Sequence, residues 1–182
     1  DTARNWEEFS AALRGYPGPS QNFVYADAAG NIGYYGAGLL PVRPKGDGSL
    51  PLRGDDSAND WTGYIPFEQL PHVYNPPAGI IATANGRVVP DNYPYPVATR
   101  WDTPDRTERI YQLLDPARKF TPADFRRIQV DVYSPHHHKL ARAFAEAVAK
   151  SSPGNSRLLE AAEALRAWDG QALPDSYAAT LA

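Results

Sequence analysis

The sequence predicts an α+β protein, on three observations. Strand-like runs fill the first half of the chain and helix-like runs the second, a segregation that argues against alternating βαβ units. A hydrophobic fraction of 42% with 21% charged residues belongs to a chain that packs a core rather than to a disordered one. At 182 residues the length suits one domain or a large part of a bigger one. The expected division is a strand-and-loop portion over residues 1–100 and a mainly helical portion over residues 101–182.

The first element is a short helix. In NWEEFSAALR, Trp6, Phe9 and Leu13 recur at helical spacing, Asn5 is placed to cap, and Glu8 stands three residues on, as in a capping box. Gly15, Pro17, Gly18 and Pro19 stop it. QNFVYADAAGNIGYYGAG then reads as a hairpin, Asn22 to Ala26 and Ile32 to Gly36, around a turn containing Asp27, Gly30 and Asn31. Glycines in its second strand imply that a neighbouring backbone or ligand comes close.

From Leu40 to about Asn75 the chain is rich in Pro, Gly and Asp. A connection that long suggests wrapping over a larger body, which favours a fragment. Trp61, Tyr64, Ile65, Phe67 and Leu70 offer an apolar anchor for it. GIIATANGRVV, β-branched around a polar centre, predicts a buried strand from Gly79 to Ala84 that ends at Asn85 and Gly86.

Helices are expected near Arg106 to Leu114 and from Thr121, where Thr121 caps, Pro122 takes the first helical position and Asp124 sits in the first turn. Two more follow, roughly Pro135 to Lys150, with Leu140, Phe144 and Val148 on one face, and Ser156 to Ala167.

Composition removes several classes of function. The net charge of −3 is spread along the chain without runs, so no basic surface for nucleic acid is expected. No apolar run approaches the roughly 20 residues that span a bilayer, so no membrane segment is expected either. Without cysteine there is no disulfide, thiol nucleophile or zinc–thiolate site. A chain that opens on Asp1 and contains no methionine is expected to be a processed or trimmed piece.

Taken in order, QNFVYADAAGNIGYYGAG, DWTGYIPFEQLPHVYNPPAGIIATANGRVVPDNYP, DRTERIYQLL and AWDG resemble the penicillin acylase family of N-terminal nucleophile hydrolases. The resemblance implies an internal fragment of the large chain and a four-layer αββα fold. It also implies hydrolysis of an N-acyl amide through an acyl-enzyme on an N-terminal serine, whose own α-amine is the general base. That serine is absent from a chain starting DTARN, so the fragment alone is expected to be inert.

Asn85 of ATANGR falls where the family places an asparagine that donates to the oxyanion, although Gly86 stands where a second asparagine is usual. Arg106 of PDRTER corresponds to the arginine that orients the catalytic groups, a task suited to a rigid fork of donors, and Arg109 is the lesser candidate. The implied partners are the remaining parts of the same precursor and a small-molecule N-acyl amide, such as a penicillin or an acyl-homoserine lactone. The implied location is periplasmic or secreted. No cofactor is expected in this segment; calcium is possible in the complete enzyme.

Blander readings stand beside these. An Asn-Gly pair is ordinarily a turn, and an arginine at a helix start is ordinarily a solvated charge. His136, His137 and His138 point in different directions at a helix start, and Asp55, Asp56 and Asp60 lack the spacing of a calcium loop. A reading from another class is a non-catalytic binding or scaffold module that docks through the aromatic hairpin and the proline-rich loop.

Overall fold

In the computed structural model, which describes residues 2–115, 117–151 and 154–182, one helix followed by short strands and irregular turns makes up the chain to Thr103, and the remaining helices lie from Pro104 on. These are two separate units, Asp1–Thr103 and Pro104–Ala182.

The first unit opens with α1 (Trp6–Leu13), whose N-terminus is closed by Asn5 Oδ1 accepting from the Glu8 N–H at 2.8 Å. The expected box is only half made. The Glu8 carboxylate accepts from the Arg4 N–H and from its guanidinium, at 2.9 and 2.7 Å, because a charged fork outcompetes the Asn5 N–H. Strands β1 (Gln21–Ala26) and β2 (Ile32–Ala37) pair antiparallel from Gln21↔Ala37 to Ala26↔Ile32. Asp27 holds their turn, accepting from the Asn31 N–H and Nδ2 and from the Tyr25 hydroxyl, while Gly30 supplies a φ of +89°.

The long connection carries a short ladder of β3 (Pro41–Val42) on β4 (Gly63–Tyr64), then β5 (His72–Tyr74), which joins the free edge of β2 to give the order β1-β2-β5. Leu13, Tyr35, Ala37, Ile65 and Leu70 form the buried core, with Trp6, Phe9, Phe23 and Phe67 packed against it. Ile65 and Leu70 are thus the anchor, each full burial being worth about 1.5–3 kcal/mol, whereas Trp61 and Tyr64 stay about half exposed. The close neighbour of the second strand is a side chain: a Cβ at Gly33 would lie 2.3 Å from the Trp6 ring.

One expected strand is absent. Residues 79–84 are irregular, exposed at Gly79 and half-buried from Ile80 to Ala84, with Gly79 at φ +66° and Asn85 at φ +61°. Their β-branched residues supply propensity, but the left-handed backbone at Gly79 and Asn85 interrupts an extended run, and among the described residues this segment pairs with no strand.

In the second unit, α2 (Asp105–Leu113) and α3 (Pro122–Gln129) precede α4 (Pro135–Ser151), α5 (Ser156–Ala167) and the short α6 (Tyr177–Leu181). Helix α4 buries Ala141, Ala145 and Val148 in clusters that include Ala162, Leu165 and Trp168, whereas Leu140 and Phe144 are 51% and 42% exposed. Val148 is thus buried as expected, but ahead of it the seam runs one residue over, through Ala141 and Ala145, because alanines let α4 and α5 approach closely and bulkier side chains would hold them apart.

Helix α3 starts with a complete capping box. Asp124 N–H donates to Thr121 Oγ1, and the Asp124 carboxylate accepts from the Thr121 N–H and hydroxyl at 2.8 and 2.6 Å. Those Thr121 donors first, and the guanidiniums of Arg118 and Arg127 after them, hold the buried carboxyl down at about 2. A depressed carboxyl stabilises the fold above its unfolded value near 4, and that contribution is lost as pH falls from there through about 2. Asp124→Asn is expected to lower the thermal midpoint of the intact protein at pH 7, with the gap to wild type closing between pH 4 and pH 2. A gap that stays constant over that range means that ionisation of Asp124 stabilises nothing.

Candidate active site

Asn85 stands in a sharp turn in the left-handed region, a conformation that asparagine tolerates better than other side-chain-bearing residues. Its carbonyl accepts from the Asp102 N–H at 3.0 Å, which ties the turn to the segment just before Thr103. The residue is exposed and lines a cavity of about 270 Å³, together with Asn22, Tyr34, Leu40, Val97 and Trp101.

The floor of this cavity belongs to the hairpin. Tyr34, only 5% exposed, donates its hydroxyl to Asn22 Oδ1 at 2.7 Å. Burial pushes the phenol up to about 12, so Tyr34 stays a neutral donor at physiological pH. Gly36 keeps the hydroxyl clear, since a Cβ there would lie 3.0 Å from Tyr34 Oη. The Asn22–Tyr34 pair is not singled out by sequence motifs, yet the hairpin register contains the signal. With Asn22 opposite Gly36 and Val24 opposite Tyr34, the two are diagonal neighbours on one face.

Arg106 is the second residue of α2, exposed, in the second unit. Arg109, one turn on, is engaged elsewhere: its Nε and Nη2 donate to the two oxygens of Asp131 at 2.8 and 2.7 Å, and its guanidinium lies 4.6 Å from the centre of the Tyr133 ring. This pairing holds the Asp131 carboxyl below the ordinary carboxylate range and raises Arg109 further.

The histidine triplet splits as its helical directions require. His137 Nδ1 bonds the Ser134 hydroxyl, His138 Nδ1 the Tyr133 hydroxyl, and His136 lies 3.8 Å from Asp105. In the long connection, Asp55 pairs with Arg53 and Asp56 caps a 3-10 turn. Among the described residues no group of three or more acidic or histidine side chains that could hold a metal ion is found. Among the described residues, no helix is long and apolar enough to cross a membrane.

The chain matches the family model for penicillin amidase over residues 1–182. It is 38% identical over 170 residues to the penicillin acylase 2 proenzyme of Pseudomonas sp. (strain SE83), a match covering 93% of this chain and 21% of that protein. It is 32% identical over 190 residues to the acyl-homoserine lactone acylase QuiP of Pseudomonas fluorescens (strain Pf0-1), covering 98% of this chain and 23% of the relative. Its structure resembles the thermostable penicillin G acylase from Alcaligenes faecalis with a TM-score of 0.67 and 31% identity, over 93% of this chain and 30% of that one. The chain thus spans about a fifth of the length of such relatives, 21% for the first.

Proposed function

The chain belongs to the penicillin amidase family, and from that premise we propose that it is part of an N-acyl amide hydrolase in which Asn85 donates to the oxyanion and Arg106 orients the catalytic groups. The observation that carries this reading is 38% identity to a penicillin acylase proenzyme across 93% of the chain, with ATANGR and DRTER inside the matched family region. The position of Asn85 at the wall of a cavity, on a turn fixed through its carbonyl, supports the assignment of the donor.

The chemistry follows from what each group can do. A serine Oγ at the start of the processed large chain, outside these 182 residues, attacks the acyl carbon while its proton passes to its own α-amine. The carbonyl oxygen becomes an anion, stabilised by the side-chain N–H of Asn85. Collapse breaks the C–N bond, the amine leaves with that proton, and water then cleaves the ester to release the carboxylic acid. Arg106 offers a fixed fork of donors that holds acceptors in place rather than a group for proton transfer. Penicillins and acyl-homoserine lactones, which the relatives' names invoke, both present an acyl–NH bond to such a site.

The complete, processed enzyme, incubated with an N-acyl amide and quenched early, is expected to show the mass of one acyl group on the N-terminal serine. Absence of any acyl adduct across a panel of acyl amides would sink the reading. These 182 residues alone are expected to turn nothing over, and activity is expected only with the rest of the precursor present.

A further inference from the structure

We infer that Asp131 is a positioning residue for Arg106, acting through Arg109; this rests on the reading of Arg106 given above. Arg106 and Arg109 are three residues apart on α2 and share one side of the helix. Helix α2 has no fully buried residue, and on its inner side Thr107, Ile110 and Leu113 are half-buried. The most directional hold on its rotation is the bidentate clamp of Arg109 on Asp131, at 2.7 and 2.8 Å, with the two side chains 24% and 17% exposed.

The far end of the clamp is itself braced. Asp131 and Tyr133 lie between α3 and α4, and the Tyr133 ring carries the Arg109 guanidinium on its face. The Tyr133 hydroxyl bonds His138 Nδ1 on α4 at 2.9 Å, and the backbone of Tyr133 bridges to Gln171 beyond α5. Trp168 closes the ring of contacts, edge-on to His138 and donating Nε1–H to the Gln171 carbonyl at 2.9 Å. A braced frame therefore grips α2 through Arg109, a turn away from Arg106, while Asp105 of the same helix lies 3.8 Å from His136 on α4.

Leverage makes that grip matter. A turn of roughly 10° about the axis moves a side-chain tip 5–6 Å out by about 1 Å, and a misplacement of about 1 Å can cost on the order of 10²-fold in rate. A pair that only stabilised the fold would change the amount of active enzyme. One that aims Arg106 changes turnover, and only while Arg106 is present.

The test is a double-mutant cycle on the complete, processed enzyme with Asp131→Asn, Arg106→Ala and the double variant. Asp131→Asn is expected to lower kcat about tenfold with KM within about twofold, and to cost nothing further in the Arg106→Ala background. Undiminished loss in that background, or wild-type kcat for Asp131→Asn, overturns the proposal. Should Asp131→Asn fail to fold, Arg109→Lys replaces it in the same cycle, keeping the charge and losing the fork. If Arg106→Ala alone keeps wild-type kcat, the role of Arg106 itself fails and takes the positioning role with it, an outcome distinct from an impaired Arg106→Ala enzyme in which Asp131 acts additively.

Discussion

Asn85→Ala in the complete enzyme is expected to lower kcat by roughly two to three orders of magnitude, because removal of one oxyanion donor costs about 2.7–4 kcal/mol of transition-state stabilisation. The donor acts on charge that develops during reaction, so KM should move far less than kcat. Backbone strain is the confounding effect. Asn85 has a φ of +61°, and alanine in that region costs roughly 1–2 kcal/mol of stability. Asn85→Gly separates the two, since glycine adopts the turn without strain and still lacks the amide. Loss of turnover in both variants supports the oxyanion role; wild-type turnover in a folded Asn85→Gly enzyme leaves Asn85 as a turn residue beside Gly86.

Local chemistry was the most legible part of this fold. Asn5 and Thr121 cap α1 and α3 as their sequences predict, and the Asp27 to Asn31 turn closes the hairpin, because each is decided within four residues. Features that need a distant partner were not legible. The propensity of residues 79–84 cannot say whether a strand edge is available, and the apolar residues of α4 do not show that the seam runs through Ala141 and Ala145 rather than through Leu140 and Phe144. The candidate site divides in the same way. ATANGR marks Asn85 by family pattern, whereas Asn22 and Tyr34 come together only through strand register, and the Asp131 partner of Arg109 lies 22 residues away.

The frame around Tyr133 makes a second large effect expected, at a position that touches no reacting atom. Gly170 has a φ of +86°, and a Cβ there would lie 2.4 Å from Tyr133 Cε2 and 3.0 Å from His138 Cγ. Neither ring can swing away cheaply, because Tyr133 carries Arg109 on its face and its hydroxyl is bonded to His138, which is edge-on to Trp168. Gly170→Ala therefore combines a left-handed backbone penalty of roughly 1–2 kcal/mol with an overpacking cost of about 1–3 kcal/mol. The denaturation midpoint of the complete enzyme should fall accordingly. Gly15→Ala is the control: nothing lies within 4 Å of a Cβ there and its φ is not left-handed, so its effect should stay within about 0.5 kcal/mol. Adding Tyr133→Ala removes the nearer ring, after which Gly170→Ala should cost mainly its backbone part, about 1–2 kcal/mol. An undiminished cost in that background would mean that the ring does not press on Gly170, and the brace behind Asp131 would lose its central contact.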